Sequence, residues 1–143
     1  MPTFHPYLNF AGNAGEAFDF YKSVFGGQFI ARQKMSDAPG TESLPEHEKD
    51  YLMHIALPLA SGTILMASDC VPSAGHILNV GNNVYINIAA DSREEADRLF
   101  NGLSAGGEVE MPMADMFWGD YFGSFKDKFG IQWMINYSAR NQQ

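Results

Sequence analysis

The sequence predicts an α+β fold built from two tandem βαβββ modules, and three observations lead to this prediction. Short stretches recur in the same order at a nearly constant offset, from Tyr7 and Tyr85 (85 − 7 = 78 positions) to Gly26 and Gly106 (106 − 26 = 80 positions). Each half begins with an apolar–polar alternation typical of a strand, followed by apolar residues at helical spacing and a glycine pair. With 143 residues, 45% of them hydrophobic, the chain can form one well-buried domain, which we expect to span 1–143.

Module one is predicted at about residues 3–69. Its pattern predicts, in order, a strand at 7–10, a helix at 14–25, a strand at 29–35, a polar loop at 36–50 with one helical turn at 46–49, and strands at 51–59 and 63–68. The helix is predicted from apolar residues at helical spacing between Ala17 and Phe25, and Gly26 with Gly27 ends it. The glycine-containing loop at 60–62 predicts that the last two strands form a hairpin.

Residues 70–83 are predicted to connect the modules, because this segment contains proline, glycine and paired asparagine. Module two follows at about 84–137, and its pattern predicts a strand at 84–89, a helix that ends near 104, and strands at 108–113, 121–125 and 131–137. Ser92 and Glu95 have the spacing of a capping box, which predicts where this helix begins. Neither module could cover both faces of its own sheet, so we expect the two to pack together.

Composition and charge argue against several classes of protein. The net charge of −8 and the lack of any run of basic residues argue against a nucleic-acid partner. Cys70 is the only cysteine, so no disulfide can form within one chain, and we expect this thiol to be inert. The sequence has neither a signal-peptide pattern nor an apolar stretch of about 20 residues, so we expect a cytoplasmic protein without a membrane partner.

Two segments carry a family resemblance. The first joins Pro6–Phe10 to Glu16–Tyr21, and the second joins Trp118–Gly123 to Asp127–Asn136. Over nearly its whole length the chain resembles the PhnB-like branch of the vicinal-oxygen-chelate superfamily, which includes glyoxalase I, bleomycin-resistance proteins, fosfomycin-resistance enzymes and extradiol dioxygenases. The resemblance implies curved mixed sheets that enclose a cavity, with a helix on each convex face and a pseudo-twofold axis between the modules. It also implies a homodimer.

The same resemblance implies a metal site, which the residues of this chain do not match. Metal-dependent members bind their ion through histidine or glutamate on the first and last strands of each module. Alignment by the strand and helix boundaries places these positions on His5, Met66, Tyr85 and Met134. Only His5 is a good ligand, because a thioether is too soft to hold Zn²⁺, Ni²⁺ or Mg²⁺ against water. We therefore predict no metal and no cofactor.

The period of two along the strands divides each sheet into an apolar face and a mixed face. The apolar face, expected under the helices, comprises Leu8, Phe10, Leu65, Ile86, Ile88, Trp133 and Ile135. The predicted hairpin register places Ala56 opposite Met66 and His54 opposite Ser68, which adds His54 to the mixed face. We predict that the mixed face binds a small organic molecule. The predicted contact residues are Tyr7, Asn9, His54, Met66, Ser68, Tyr85, Asn87, Trp118, Gln132, Met134 and Asn136.

Three residues are candidates for catalysis, although the sequence assigns none of them a catalytic role. His54 could act as a general base, because imidazole takes up a proton near neutral pH, or it could form a structural hydrogen bond across the hairpin. His5 could contact a ligand or be a simple strand-end histidine. Asp120 could add a carboxylate to the same polar patch. Tyr7 and Tyr85 could equally be core aromatic residues.

Three functions remain open from the sequence. The first is metal-independent binding of a small organic molecule, as in a sequestering or resistance protein. The second is a metal-dependent lyase, isomerase or dioxygenase-like enzyme that uses His5, His54 and Asp120 with a metal away from the family positions. The third is association with a partner protein through an exposed apolar patch. The methyltransferase label often given to PhnB-like proteins is rejected, because no glycine-rich strand-to-helix turn for a methyl donor is present.

Overall fold

The computed structural model describes residues 2–139, and the chain divides between Asn79 and Val80 into two compact units. Met1 and residues 140–143 of the predicted 1–143 domain lie outside the described residues. The first unit contains module one. Its elements are β1 (Tyr7–Phe10), α1 (Ala14–Phe25), β2 (Ala31–Lys34), α2 (Glu46–Lys49), β3 (Leu52–Pro58) and β4 (Ile64–Asp69), with 3₁₀ turns at Met35–Asp37 and Pro72–Ala74.

The second unit contains module two. Its elements are β5 (Ile86–Ala89), α3 (Arg93–Ser104), β6 (Glu108–Asp115), β7 (Asp120–Lys126) and β8 (Gln132–Ser138). Among residues 2–139, no helix has both the length and the apolar character needed to cross a membrane.

Each unit holds one four-stranded mixed sheet, with strand order β1-β4-β3-β2 in the first and β5-β8-β7-β6 in the second. The first strand of each module pairs in parallel with the last, and the other pairs are antiparallel. Strand, helix and three strands therefore recur in both units with the same connectivity. The predicted α+β fold with two βαβββ modules is confirmed.

The register of the sheets sets which side chains share a face. In the first sheet Ala56 lies opposite Met66, as predicted, and the same register continued by one position brings His54 opposite Ser68. The parallel pairing of β1 and β4 places Tyr7 opposite Met66. Successive strand residues point to opposite sides, so these side chains stand on one face of the sheet.

The helices cover the other face of each sheet. All seven residues of the predicted apolar face are buried or half-buried. Phe18 of α1 meets Phe10 edge to face with ring centroids 6.3 Å apart, and Phe100 of α3 meets Phe125 in the same way at 5.1 Å. Such aromatic pairs add to the free energy gained by apolar burial, so each helix is held on its own sheet.

A buried carboxylate fixes the start of α1. Asn13 stands at the N-cap, but its side chain makes no capping hydrogen bond. The backbone N–H groups of Gly12 and Ala14 instead donate to Asp69 Oδ1, each at 2.9 Å, and the Leu52 N–H donates to Oδ2 at 2.8 Å. Asp69 therefore ties the helix start to the end of β4 and the beginning of β3, satisfying donors that a helix start leaves without partners.

Several predicted boundaries differ from the structure by one or two residues. The strand predicted from Val84 begins at Ile86, and the strand predicted to end at Met113 continues to Asp115. The predicted cap at Ser92 is present, because its hydroxyl accepts the Glu95 N–H at 3.0 Å. In a capping box the Glu95 carboxylate would accept the N–H of Ser92 itself. Here it accepts the N–H of the preceding residue, Asp91, at 2.9 Å.

Candidate functional site

The uncovered face of the module-one sheet, here called face A, carries Tyr7, Asn9, His54, Met66 and Ser68. The pairings of β1 with β4 and of β4 with β3 place these five predicted residues on one side. All of them are exposed or half-buried, whereas Phe10, Ile55 and Leu65, which alternate with them, are buried. Face A is thus an accessible surface of aromatic, amide, thioether and hydroxyl groups.

Tyr7 and His54 form a pair across face A. β4 lies between their strands, yet the two rings are stacked, with centroids 5.8 Å apart and planes inclined by 21°. The Tyr7 hydroxyl lies 3.2 Å from His54 Nδ1 and donates to it when that nitrogen carries no proton. Tyr7 is 48% exposed, so the pair remains accessible on the sheet.

His5 does not join this pair. Its Nδ1 accepts the backbone N–H of Ile64 at 3.0 Å, just before β1 and β4 begin their parallel pairing. That bond places the remaining imidazole proton on Nε2. His5 therefore has a structural role at the strand ends, one of the two roles that the sequence left open.

The uncovered face of the module-two sheet, here called face B, carries Tyr85, Asn87, Met111, Ser124, Met134 and Asn136. One row crosses all four strands: Met111 lies opposite Ser124, Ser124 opposite Met134, and Met134 opposite Asn87. Ser124 is 5% exposed, so the row has a small buried residue between two methionines. This arrangement leaves a shallow apolar strip with an amide at one end.

Tyr85 reaches across face B to a carboxylate that the sequence did not single out. Its hydroxyl donates to Glu110, at 2.8 Å from Oε1 and 3.0 Å from Oε2. Tyr85 directly precedes β5 and Glu110 belongs to β6, and these strands are the two edges of the sheet. Three strand spacings amount to about 14 Å, too far for side chains that stand perpendicular to a flat sheet. The two side chains therefore lean toward each other over face B.

A bulge in β6 gives Glu110 its position. Val109 pairs with Phe125 and Met111 pairs with Ser124, so two residues of β6, Glu110 and Met111, lie opposite one residue of β7. A bulge of this kind redirects side chains and bends the strand. The hydrogen bond to Glu110, followed by burial and by the charge of that carboxylate, raises the pKa of the Tyr85 phenol above its usual 10.0.

Two predicted contact residues of module two, Gln132 and Trp118, and the catalytic candidate Asp120 have other surroundings. Gln132 is 5% exposed, and its Nε2 donates to the Val84 carbonyl at 2.7 Å, so its amide serves the start of β5. Trp118 lies in the turn between β6 and β7, 45% exposed, with its ring edge-to-face with Phe117 at 5.0 Å. Asp120 begins β7 opposite Ser138, at the end of the sheet.

The residues at the four family metal positions do not fit a divalent ion. Met66 and Met134 offer only thioethers, which bind hard ions poorly. His5 uses Nδ1 for a backbone bond and Tyr85 uses its hydroxyl for Glu110. Within residues 2–139, no three side chains of histidine, cysteine, aspartate or glutamate are grouped so as to hold a metal ion. The absence of a metal cofactor stays a prediction.

The fold and the two uncovered faces define a class: a protein of two βαβββ modules, each with helices on one side of its sheet and a polar–aromatic surface on the other. The sequence model of the Glyoxalase/Bleomycin resistance protein/Dioxygenase superfamily matches residues 3–135. The chain belongs to this superfamily, and members of the family commonly bind small molecules.

Several proteins are similar to the chain over most of its length. Protein YjdN of Escherichia coli K12 is 32% identical, with 92% of each chain covered. The crystal structure of protein PA1353 from Pseudomonas aeruginosa is 39% identical, with a TM-score of 0.84 over 96% of this chain and 98% of that one. A PhnB protein from Bacillus cereus has the same fold, with 22% identity and a TM-score of 0.76 over 96% of this chain and 100% of its own. The predicted superfamily is confirmed, and a PhnB protein is among the structures that share the fold of this chain.

Proposed function

We propose that this protein binds a small organic molecule on the uncovered faces of its sheets, through its own side chains and without a metal ion. The Tyr7–His54 pair on face A is the observation that carries the proposal. A stacked pair of rings at the surface offers a flat apolar platform, and its imidazole and phenol can fix the orientation of a ligand by hydrogen bonds.

The surroundings of the pair support a planar ligand with polar substituents. Met66 lies opposite Tyr7 on β4, and its flexible thioether can adapt to the edge of a ring. Asn9 lies opposite Ser68, two residues further along the same two strands. These residues supply an amide and a hydroxyl. Face A therefore combines apolar contact with a few polar groups, which is the composition of most small-molecule sites.

Methyl-selective NMR of methionine tests the proposal directly, because Met66 reports on face A and Met134 on face B. Neutral planar probes such as benzamide and phenol are titrated into protein labelled with ¹³C at the methionine methyl groups. We expect saturable shifts of Met66, of Met134, or of both. Met35, which lies in the 3₁₀ turn that follows β2, is the internal control. Shifts confined to Met35, or none at all, would contradict the proposal.

A pair of histidine variants then tests the Tyr7–His54 platform. His54→Gln removes the stacked imidazole and should weaken probes that shift Met66 by about fivefold, the loss expected for one hydrogen bond of about 1 kcal/mol. His47→Gln is the matched control, because His47 also lies beside a tyrosine, Tyr51, in the same unit but on α2. Equal weakening by both variants would show that the platform is not the binding surface.

One tightly held metal ion per chain after incubation and dialysis would contradict metal-independent binding.

Three further properties belong to this proposal. We propose that the protein acts as a homodimer, which light scattering coupled to size exclusion tests, and a monomer at working concentrations would refute it. The formal charge of −8 supports the proposal that nucleic acid is not a partner. The single cysteine supports function in the reducing cytoplasm.

A further inference from the structure

Glu110 is a charged group in an unusual setting on face B. Among residues 2–139 it makes no ion pair, and its hydrogen-bond donor is the phenol of Tyr85. A neutral phenol orients the carboxylate without cancelling its charge. Glu110 is thus an oriented negative charge at one edge of face B.

From this geometry we infer that face B takes an organic cation, with its ammonium group at Glu110 and its apolar body on the row from Met111 to Met134. This inference rests on the proposed function and assigns a ligand class to one of its two faces. A carboxylate can accept about four hydrogen bonds, and the hydroxyl of Tyr85 provides only one donor. The free positions can accept N–H groups in charge-assisted hydrogen bonds.

The neighbouring side chains complete a site for a cation with an apolar body. The bond to Glu110 holds the Tyr85 ring over the sheet, and an electron-rich ring attracts a cation that approaches its face. Met111 is 44% exposed beside Glu110, and Met134 lies beyond buried Ser124 in the same row. These two thioethers can contact an alkyl or aryl group that extends from the ammonium.

One basic residue of this module shares face B and has to be considered. Lys126 lies two residues from Ser124 on β7, opposite Glu108 and Gln132. It forms no ion pair with Glu110, so the charge of that carboxylate is not neutralised by a direct contact. Its positive charge still opposes a bound cation at a distance. Removing it should therefore strengthen the binding that we infer.

Three aromatic probes of similar size test the charge requirement: benzylamine is cationic, benzyl alcohol is neutral and benzoate is anionic. Affinities are measured by calorimetry and by the methyl shifts of Met111 and Met134. We expect benzylamine to bind about tenfold or more tightly than benzyl alcohol, and benzoate to bind most weakly, because a charge-assisted hydrogen bond is roughly twice as strong as a neutral one. High salt should reduce the preference.

Variants assign the preference to Glu110. Glu110→Gln keeps the shape but removes the charge, and it should bring benzylamine and benzyl alcohol to nearly equal affinity. Glu94→Gln on α3 loses the same charge from the helix side of the sheet, and it should leave the preference intact. Lys126→Met should strengthen benzylamine binding severalfold. Circular dichroism confirms that each variant is folded.

The outcomes separate this inference from the proposed function. If neutral probes shift the methionines of either face and benzylamine shows no advantage, the ligand class is wrong while the proposed function stands. A benzylamine preference that survives Glu110→Gln, or that Glu94→Gln abolishes equally, also overturns the inference, because the preference would then come from overall charge. If no probe of any charge binds, both proposals fail together.

Discussion

Replacing Asp69 with asparagine should destabilise module one substantially, because its two carboxylate oxygens have different backbone donors. Oδ1 accepts the N–H groups of Gly12 and Ala14, and Oδ2 accepts that of Leu52, in a side chain only 2% exposed. Asparagine can keep its oxygen at the helix start only by turning its NH₂ group toward the Leu52 N–H, so two donors meet. Turning the amide over leaves two N–H groups without an acceptor.

The magnitude follows from these contacts. A buried donor left without an acceptor costs about 1–3 kcal/mol, and exchanging two charge-assisted bonds for neutral ones removes roughly another 1 kcal/mol. Asp69→Asn should therefore lower the free energy of unfolding by about 3 kcal/mol. Asp50→Asn is the control, because its carboxylate is 82% exposed and lies 3.6 Å from Lys34. An exposed pair of this kind contributes little, so we expect a change below about 0.5 kcal/mol.

Urea unfolding followed by far-UV circular dichroism is the appropriate assay, because this signal reports on both units. Both tryptophans, Trp118 and Trp133, belong to the second unit, so their fluorescence alone could miss a local loss in the first. The urea midpoint should fall while the slope of the transition stays the same. A loss below about 1 kcal/mol, or one equal to that of Asp50→Asn, would refute the reasoning that these bonds are buried and charge-assisted.

Three further predictions concern other positions. Gly107→Ala should cost about 1–3 kcal/mol in urea unfolding, because the new methyl group would collide with the Lys126 carbonyl oxygen. Gly81→Ala should be nearly neutral, because a methyl group there would make only an ordinary van der Waals contact with the Asn83 side chain. Burial, and then the charge of the adjacent aspartate, raises the pKa of the Cys70 thiol, so a disulfide reagent at about pH 8 should label it far more slowly in native protein than in urea; equal rates would contradict its burial. Because the pKa of Tyr85 is raised, its protonated form is favoured in the folded state, so the stability lost in Tyr85→Phe should be present below about pH 10 and diminish above it; a loss that stays constant up to pH 11 would disprove the link.

Local patterns predicted the elements of this fold well, because they depend on neighbouring residues. The boundaries of β1 and α1 agree with the sequence prediction, and the alternation along the strands identified the residues that lie under the helices. A period of two or of 3.6 residues follows from backbone geometry alone, so a single sequence is enough to detect it.

The details of the candidate site could not be predicted in this way, because they depend on pairing between distant strands. The bulge that brings Glu110 over face B arises from the register of β6 against β7, and nothing in the alternation of residues 108–113 signals it. Gln132 lies in the predicted strand, but its amide is used by the Val84 carbonyl. That carbonyl needs a donor because β5 begins two residues later than the alternation suggested.

The internal repeat explains the position of the two site tyrosines but not their chemistry. Tyr7 and Tyr85 occupy corresponding places at the first strand of each module, and each hydroxyl bonds to a titratable residue across its own sheet. The partners come from different strands of the repeat, since His54 lies on β3 and Glu110 lies on β6, the counterpart of β2. An imidazole can both donate and accept, whereas a carboxylate only accepts and carries a charge. The modules therefore have the same backbone topology, while their uncovered faces present different polar groups to a ligand. For this reason each face needs its own variants and its own probes.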